Sequence, residues 1–359
     1  MTPRRAGGNP VIRPSGATPR VSLVPVPSAA PRRARSRPRR TRSAGLAAGL
    51  LAIAGVSLAA CGGTTSAAGH TGGGPTSPSA NPAAASSSSA PTTAPTTTTT
   101  TTEQPGWSVL STDAGGVAID GRSFSLPDGA QVTVARFRAG RVTYDLHIGS
   151  QDPPTGQATL GPDAGPAVSQ AEAPHLLACF NGGFKADTGA GGVEVDGQTL
   201  LPLVDGNASL VIDASGAGHV GVWGQGLPAP GESVASVRQN LQPLVVGGQP
   251  SAQIGDVAAW GATLGGGNAV ARSALGEDAK GDLIYAGSMS AVPSDMAQAL
   301  IDAGATTAME LDINPEWVQL DTAPTPGAAL VTGVPGQNRP ADQCQSGWTR
   351  DFVTVLAAG

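Results

Sequence analysis

The sequence predicts an α+β fold: a mixed, strand-rich single domain over residues 106–359, with a few helices packed on the sheets. Three observations point there. Short runs of β-branched and apolar residues alternating with polar ones recur through this region, separated by Gly or Asp-Gly. Aromatic residues make up only 3% of the 359-residue chain, so the core must be aliphatic, while 51 Gly and 31 Pro imply many short elements joined by turns. Only two segments space their apolar residues at helical intervals.

Residues 132–137, 142–148, 209–213 and 219–223 read as half-buried strands, with hairpin turns at Arg138-Ala139-Gly140-Arg141 and at residues 214–218. Residues 175–180, 244–246, 282–286 and 307–311 are shorter and more continuously apolar, as strands covered on both faces are. A helix is expected over residues 232–240, where Val234, Val237 and Leu241 fall at helical spacing. A second is expected over residues 295–303, with Ser294 as N-cap, Met296, Leu300 and Ala303 on one face, and Gly304 as the stop. It leads directly into an apolar strand that ends at Asp312, and a carboxylate at the end of a strand is where α/β sites commonly sit. No internal repeat is found.

The first 105 residues cannot contribute to a packed core. Residues 1–61 form a basic leader followed by an uncharged run from Ala44 to Ala60 that ends at Cys61, the order of an export signal. Leu58-Ala59-Ala60-Cys61 resembles a bacterial lipobox, in which Cys61 is lipidated; an uncleaved signal anchor is the other reading. Both put the domain outside the cytoplasmic membrane and anchored to its outer face. Residues 62–105 are almost entirely Ser, Thr, Ala, Pro and Gly, including an unbroken Thr run from Thr96 to Thr102. Too few apolar side chains are present to offset backbone entropy, so a disordered tether is expected. Its 44 residues would span roughly 35–40 Å as a flexible coil.

Charge divides along the same boundary. Residues 1–61 hold 11 of the 21 basic residues and no acidic one, which leaves 10 basic against 26 acidic residues in the remainder. A folded part this acidic argues against nucleic acid as a partner, because phosphate backbones are held by clustered Lys and Arg. If Cys61 is lipidated, Cys179 and Cys344 remain, and an oxidising exterior favours a disulfide between them over two buried thiols. The histidines are scattered, none beside a second His, Cys or carboxylate at metal-ligand spacing, so zinc has little support. No cofactor is expected, with a divalent metal left open. No Gly-x-Ser-x-Gly elbow occurs, and Gly265-Gly266-Gly267-Asn268 lacks the Lys-Ser/Thr of a phosphate-binding loop.

Three segments carry chemistry. Asn181-Gly182-Gly183-Phe184 follows an apolar strand; its glycines permit close backbone approach, and Asn offers a donor and an acceptor to a sugar or phosphate oxygen. Arg272, at a strand start in an acidic domain, is a candidate fork for a phosphodiester or, alternatively, an ion-pair partner. Glu310 and Asp312 project to the same side of a strand, where mutual repulsion would raise one pKa; Glu310 paired with Arg272 is the alternative. Beyond them, Asn314 adds an amide and Trp317 a flat face for a sugar ring.

Taken in order, these segments resemble the phosphodiester glycosidase family. Asn181-Gly182-Gly183-Phe184 is similar to its Asn-Gly-Gly-Phe loop, and Val237-Arg238-Gln239-Asn240-Leu241 with Pro243-Leu244-Val245 is similar to its pre-strand helix. Arg272-Ser273-Ala274-Leu275-Gly276 resembles an Arg-Thr-Ala-x-Gly strand, and Gly304-Ala305 through Leu311-Asp312 a Gly-Ala…Leu-Asp ending. Where the family continues Leu-Asp-Gly-Gly-Gly-Ser, this chain has the stiffer Ile313-Asn314-Pro315-Glu316-Trp317. The resemblance implies hydrolysis of a sugar-1-phosphodiester or related cell-envelope glycan linkage. Catalysis would fall to Asp312, Arg272 and Glu310, and substrate binding to Asn181, Gly182, Gly183, Phe184, Asn314 and Trp317. The alternative is a non-catalytic envelope protein that binds cell-wall glycan or a protein partner on the same fold.

Overall fold

The computed structural model describes residues 106–261 and 266–359. The leader, Cys61, the tether and Gly265 lie outside the described residues. Among the described residues no helix is long and apolar enough to cross a membrane.

Three antiparallel sheets form the framework of the described chain. The largest has eight strands in the spatial order Ser108–Asp113, Gly116–Ser125, Gln131–Phe137, Leu283–Ala291, Val270–Asp278, Ala305–Glu310, Val245–Val246, Gln249–Pro250. A second orders Gln198–Leu201, Val193–Val195, Val234–Gln239, Ala208–Asp213, Gly218–Val222. The third orders Val331–Thr332, Leu320–Thr322, Leu176–Asn181, Phe352–Ala357, Val142–His147. The described residues contain two α-helices, Pro293–Ala303 and Gln343–Ser346. The chain is therefore strand-rich as expected, but mostly β, and the α+β designation fits only loosely.

Alternation along the central strands explains the layering. Val132, Val134, Ile284, Ala286, Ala274 and Ala308 face the helix Pro293–Ala303, which buries Met296, Ala297 and Leu300 among them. Their sequence neighbours Ala135, Phe137, Leu283, Tyr285, Leu275 and Met309 face the opposite way, into a core shared with Leu210, Ile212, Phe180 and Val355 of the other two sheets. Because side chains alternate with period two, a sheet covered on both faces reads as a continuous apolar run. That is why residues 307–311 carry no polar alternation.

Two sequence expectations give way. The helix starts at Pro293, with Val292 as N-cap in place of Ser294; proline's fixed φ and missing N–H suit a first turn, and Asp295 Oδ2 accepts from Val292 N at 2.9 Å. Residues 232–240 do not form a helix but the strand Val234–Gln239, hydrogen-bonded on both sides, with Val237 in the core and Arg238 buried on the opposite face. Three-residue spacing of two valines cannot distinguish a helix from a strand whose end residue is also apolar. Cys179 and Cys344 are joined by a disulfide with Cα atoms 6.7 Å apart, which ties the C-terminal segment to the strand Leu176–Asn181.

Candidate active site

The strand Ala305–Glu310 delivers Asp312 to one end of the central sheet, and backbone bonds fix it there. Leu311 N donates to Ser273 O at 2.8 Å, Ser273 Oγ donates to Asp312 O at 2.8 Å, and Asp312 N donates to Gly182 O at 3.1 Å. The Asp312 carboxylate accepts from Asn314 N at 2.9 Å through Oδ1 and from Arg350 Nη2 at 3.0 Å through Oδ2. Burial pushes its pKa up to about 6 against the pull of Arg350, and the charge of Asp351 adds to the push.

Asp312 lines a cleft of about 520 Å³ with Phe184, Lys185, Ile313, Asn314, Trp317 and Arg350. Lys185, Trp317 and Arg350 also border a second cleft of about 560 Å³ that includes Gln151, Asp152 and Thr349. Arg350 is 3% exposed and bridges both. Its Nη2 also donates to Gly183 O at 2.8 Å, and its Nη1 stands 3.2 Å from Asp152 Oδ2 without hydrogen-bond alignment. Nε has no hydrogen-bond partner among the described residues, and neither has Nε1 of the adjacent Trp317. Two guanidinium groups approach the Trp317 ring, Arg339 at 5.0 Å and Arg350 at 5.6 Å from its centroid. The cleft thus combines one raised-pKa carboxylate, two cations and an indole face.

Of the residues singled out from sequence, Asp312, Asn314, Trp317 and Phe184 line this cleft, and five do not. Arg272 is 1% exposed, donating from Nη1 to Glu310 Oε1 at 2.5 Å and to Trp260 O at 3.2 Å, and from Nε to Ala291 O at 3.1 Å. Glu310 is equally buried, and desolvation raises its pKa to about 8, with Arg272 opposing and Asp312 reinforcing. The pair is the alternative the sequence left open, and it sits inside the protein. Asn181 is consumed as well. Its Oδ1 accepts from Tyr285 Oη and Gln319 N, and its Nδ2 donates to Ser273 Oγ and Gly182 O.

The Gly182 and Gly183 amides do not face the cleft but grip Asp351: Gly182 N donates to Asp351 O at 2.9 Å and Gly183 N to Asp351 Oδ2 at 3.1 Å. A Cβ at Gly182 would run into the Asp351 carboxylate, so glycine is required here for the close packing of two segments of this chain and not for a ligand. Asp351 Oδ2 also accepts from Arg238 Nε at 2.7 Å, completing a buried ion pair. Sequence reasoning passed over Arg350 and Asp351. The signal available was an Arg-Asp pair at the entrance to an apolar strand, in a domain with few basic residues.

The histidine spacing also misleads in one place. Folding brings one ligand atom each of Asp213, His219 and Glu232 within 4.8 Å of one another.

No family model matches the chain, and a search of curated proteins finds no match. Among solved structures, the chain is similar to the zebrafish N-acetylglucosamine-1-phosphodiester alpha-N-acetylglucosaminidase catalytic domain, auto-inhibited by its pro-peptide. The two share 14% identity over 70% of this chain and 88% of that one, with a TM-score of 0.43. A hypothetical protein from Synechocystis aligns at 14% identity over 67% and 62% of the two chains, TM-score 0.37. A Burkholderia pseudomallei protein described as exported aligns at 13% identity over 63% and 74%, TM-score 0.35.

Proposed function

We propose that the chain is an extracytoplasmic hydrolase of a sugar-1-phosphodiester or related cell-envelope glycan linkage, and a distant phosphodiester glycosidase. The export-type leader, the lipobox-like Cys61 and the ordered sequence anchors support the compartment and the reaction class. The observation that carries the reading is the Asp312–Arg350 pair at the floor of a cleft walled by Trp317.

In the reaction, water adds to the anomeric carbon, the bond from that carbon to the bridging oxygen breaks, and a phosphate monoester departs. A water proton passes to the Asp312 carboxylate, which also faces the developing oxocarbenium charge. The phosphate monoester is a good leaving group, so one carboxylate suffices where an alcohol would need a second as acid. Arg350 and Lys185 hold the phosphoryl oxygens, Trp317 stacks on the sugar, and Phe184 and Asn314 border it. Arg272 and Glu310 act from behind, holding the strand that carries Asp312.

Incubating the purified protein with a sugar-1-phosphodiester should release equal amounts of reducing sugar and phosphate monoester, and Asp312→Asn should slow the release by about 10²–10⁴-fold. Equal turnover by that variant would remove Asp312 from the chemistry. One observation favours a second reading: Asp312 is the sole carboxylate among the residues lining the first cleft. A non-catalytic envelope protein would then hold cell-wall glycan there. Saturable glycan binding without product, undiminished in Asp312→Asn, would select it.

A further inference from the structure

A second cluster of chemistry-bearing side chains lies on the second sheet. Asp213 ends the strand Ala208–Asp213, His219 lies opposite Val211 on the neighbouring strand, and Val234, two residues beyond Glu232, pairs with Asp213. Ala214 N donates to Ser233 O at 2.8 Å, tying the hairpin to the Glu232 segment. Each carboxylate spends one oxygen on its own loop. Asp213 Oδ1 accepts from Ser215 N, Ser215 Oγ and Ala217 N at 2.7, 2.7 and 3.0 Å. Glu232 Oε2 accepts from Ala229 N at 2.6 Å.

That leaves Asp213 Oδ2 and Glu232 Oε1, the latter 3.9 Å from His219 Nε2. On the far side of the imidazole, Glu277 Oε1 stands 3.3 Å from Nδ1, while its Oε2 accepts from Val220 N at 2.7 Å. A carboxylate behind an imidazole is the arrangement that fixes the tautomer and orientation of a metal-bound histidine. His219 can neutralise at most one of these three carboxylates, and it is the only ion-pair partner of Glu232 and Glu277 among the described residues. His219, Glu232 and Glu277, but not Asp213, line a cleft of about 400 Å³ together with Val220, Leu227 and Thr307, and this cleft shares no residue with the Asp312 cleft.

We propose that Asp213, His219 and Glu232 bind one divalent transition-metal ion, with Glu277 as the positioning residue behind His219. Zinc bonds of about 2.0–2.2 Å hold neighbouring tetrahedral donors roughly 3.3–3.6 Å apart, so the 3.9 Å His219–Glu232 gap closes with a shift of a few tenths of an ångström, while Asp213, within 4.8 Å of both, must move in by up to about 1.5 Å. One imidazole nitrogen with two carboxylate oxygens suits Zn²⁺ above Mn²⁺, and both above Mg²⁺ or Ca²⁺. Three protein ligands leave a coordination position for water or a ligand in the adjoining cleft.

The test is competition for Zn²⁺ between the full-length protein and a chromophoric chelator, run on wild type, His219→Ala and the near-isosteric Glu232→Gln. Wild type should retain one equivalent more than either variant, or hold it at least about tenfold more tightly. Variants that match wild type in number and affinity, or wild type that yields all its zinc, overturn the proposal. For Glu277→Gln, the visible spectrum of Co²⁺ at the site should shift while the unfolding temperature of the metal-free protein holds. An unchanged spectrum removes the positioning role.

Discussion

Glu310 and Asp312 stand two residues apart at the end of one strand, and each meets an arginine, yet the two pairs do opposite work. Arg272–Glu310 is shut off from solvent, with the guanidinium also bound to two backbone carbonyls and Glu310 Oε2 left without a partner. Arg350–Asp312 forms the floor of a cleft, and Arg350 keeps donors that no described acceptor satisfies. A charge pair shut away from every cleft is a structural joint even with Glu310 Oε2 left unpartnered, whereas one with leftover donors beside a cavity has chemistry to offer a ligand. Residue type cannot separate them; the surroundings do.

Substituting one member of each pair should divide the two roles. Asp312→Asn keeps the Asn314 N–H contact but loses the charge, and turnover should fall by about 10²–10⁴-fold, as removal of a proton-transfer group does. Arg272→Met removes the donor to Glu310, whose carboxyl then stays protonated and unpaired inside the protein, at a cost of about 1–3 kcal/mol in urea unfolding. Adding Glu310→Leu should restore most of that stability, because a well-packed apolar pair can replace a buried ion pair. Turnover per folded molecule should survive in the double variant. If turnover vanishes there while stability recovers, the inner pair takes part in the chemistry and the contrast fails.

The sequence made some of this legible. Helix, glycine stop, apolar strand and terminal carboxylate are local features, so Asp312 could be placed at a strand end before any tertiary contact was known. Arg272 and Asn181 were singled out for the right chemistry in the wrong surroundings, because nothing local says whether an arginine faces solvent or Glu310. Arg350 comes from the C-terminal segment, and the pairing of Phe352 with Asn181 and the bonds of Gly182 and Gly183 to Asp351 bring it beside the glycine loop. Residues 232–240 failed for a related reason. A strand flanked on both sides within a sheet takes its conformation from its neighbours, and a window of nine residues does not contain them.

Proton linkage extends the comparison to the whole domain. Burial raises Glu310 to about 8, Asp321 to about 7, and Asp312 and Asp145 to about 6, all above ordinary carboxyl values. The folded protein therefore holds protons that the unfolded chain releases, so stability is fully present below about pH 4 for these groups and declines as pH rises to about 8. The unfolding temperature should be higher at pH 5 than at pH 8, and Glu310→Gln should flatten the slope above pH 6. Activity should run the other way, rising through about pH 6 as Asp312 ionises. A stability profile that climbs from pH 5 to pH 8 would mean the inner carboxyl is ionised throughout.

The smallest effect probes the one carboxylate that touches the outer pair from solvent. Asp152 is partly exposed; its Oδ2 lies 3.2 Å from Arg350 Nη1 and its Oδ1 accepts from Ala186 N at 3.1 Å. Asp152→Asn can keep the Ala186 bond while removing the charge that competes for the guanidinium. Stability should change by about 1 kcal/mol, because the buried Arg350–Asp152 contact lacks hydrogen-bond alignment. Inorganic phosphate, read by calorimetry, should bind a few-fold more tightly, since a guanidinium freed of one carboxylate attracts an anion more strongly. Arg272 has no such solvent-side competitor, and Arg272→Met should leave phosphate affinity where it was. Weaker phosphate binding in Asp152→Asn would instead make Asp152 part of the ligand's own contact surface, and the cleft would then select a ligand that presents a donor beside its phosphate.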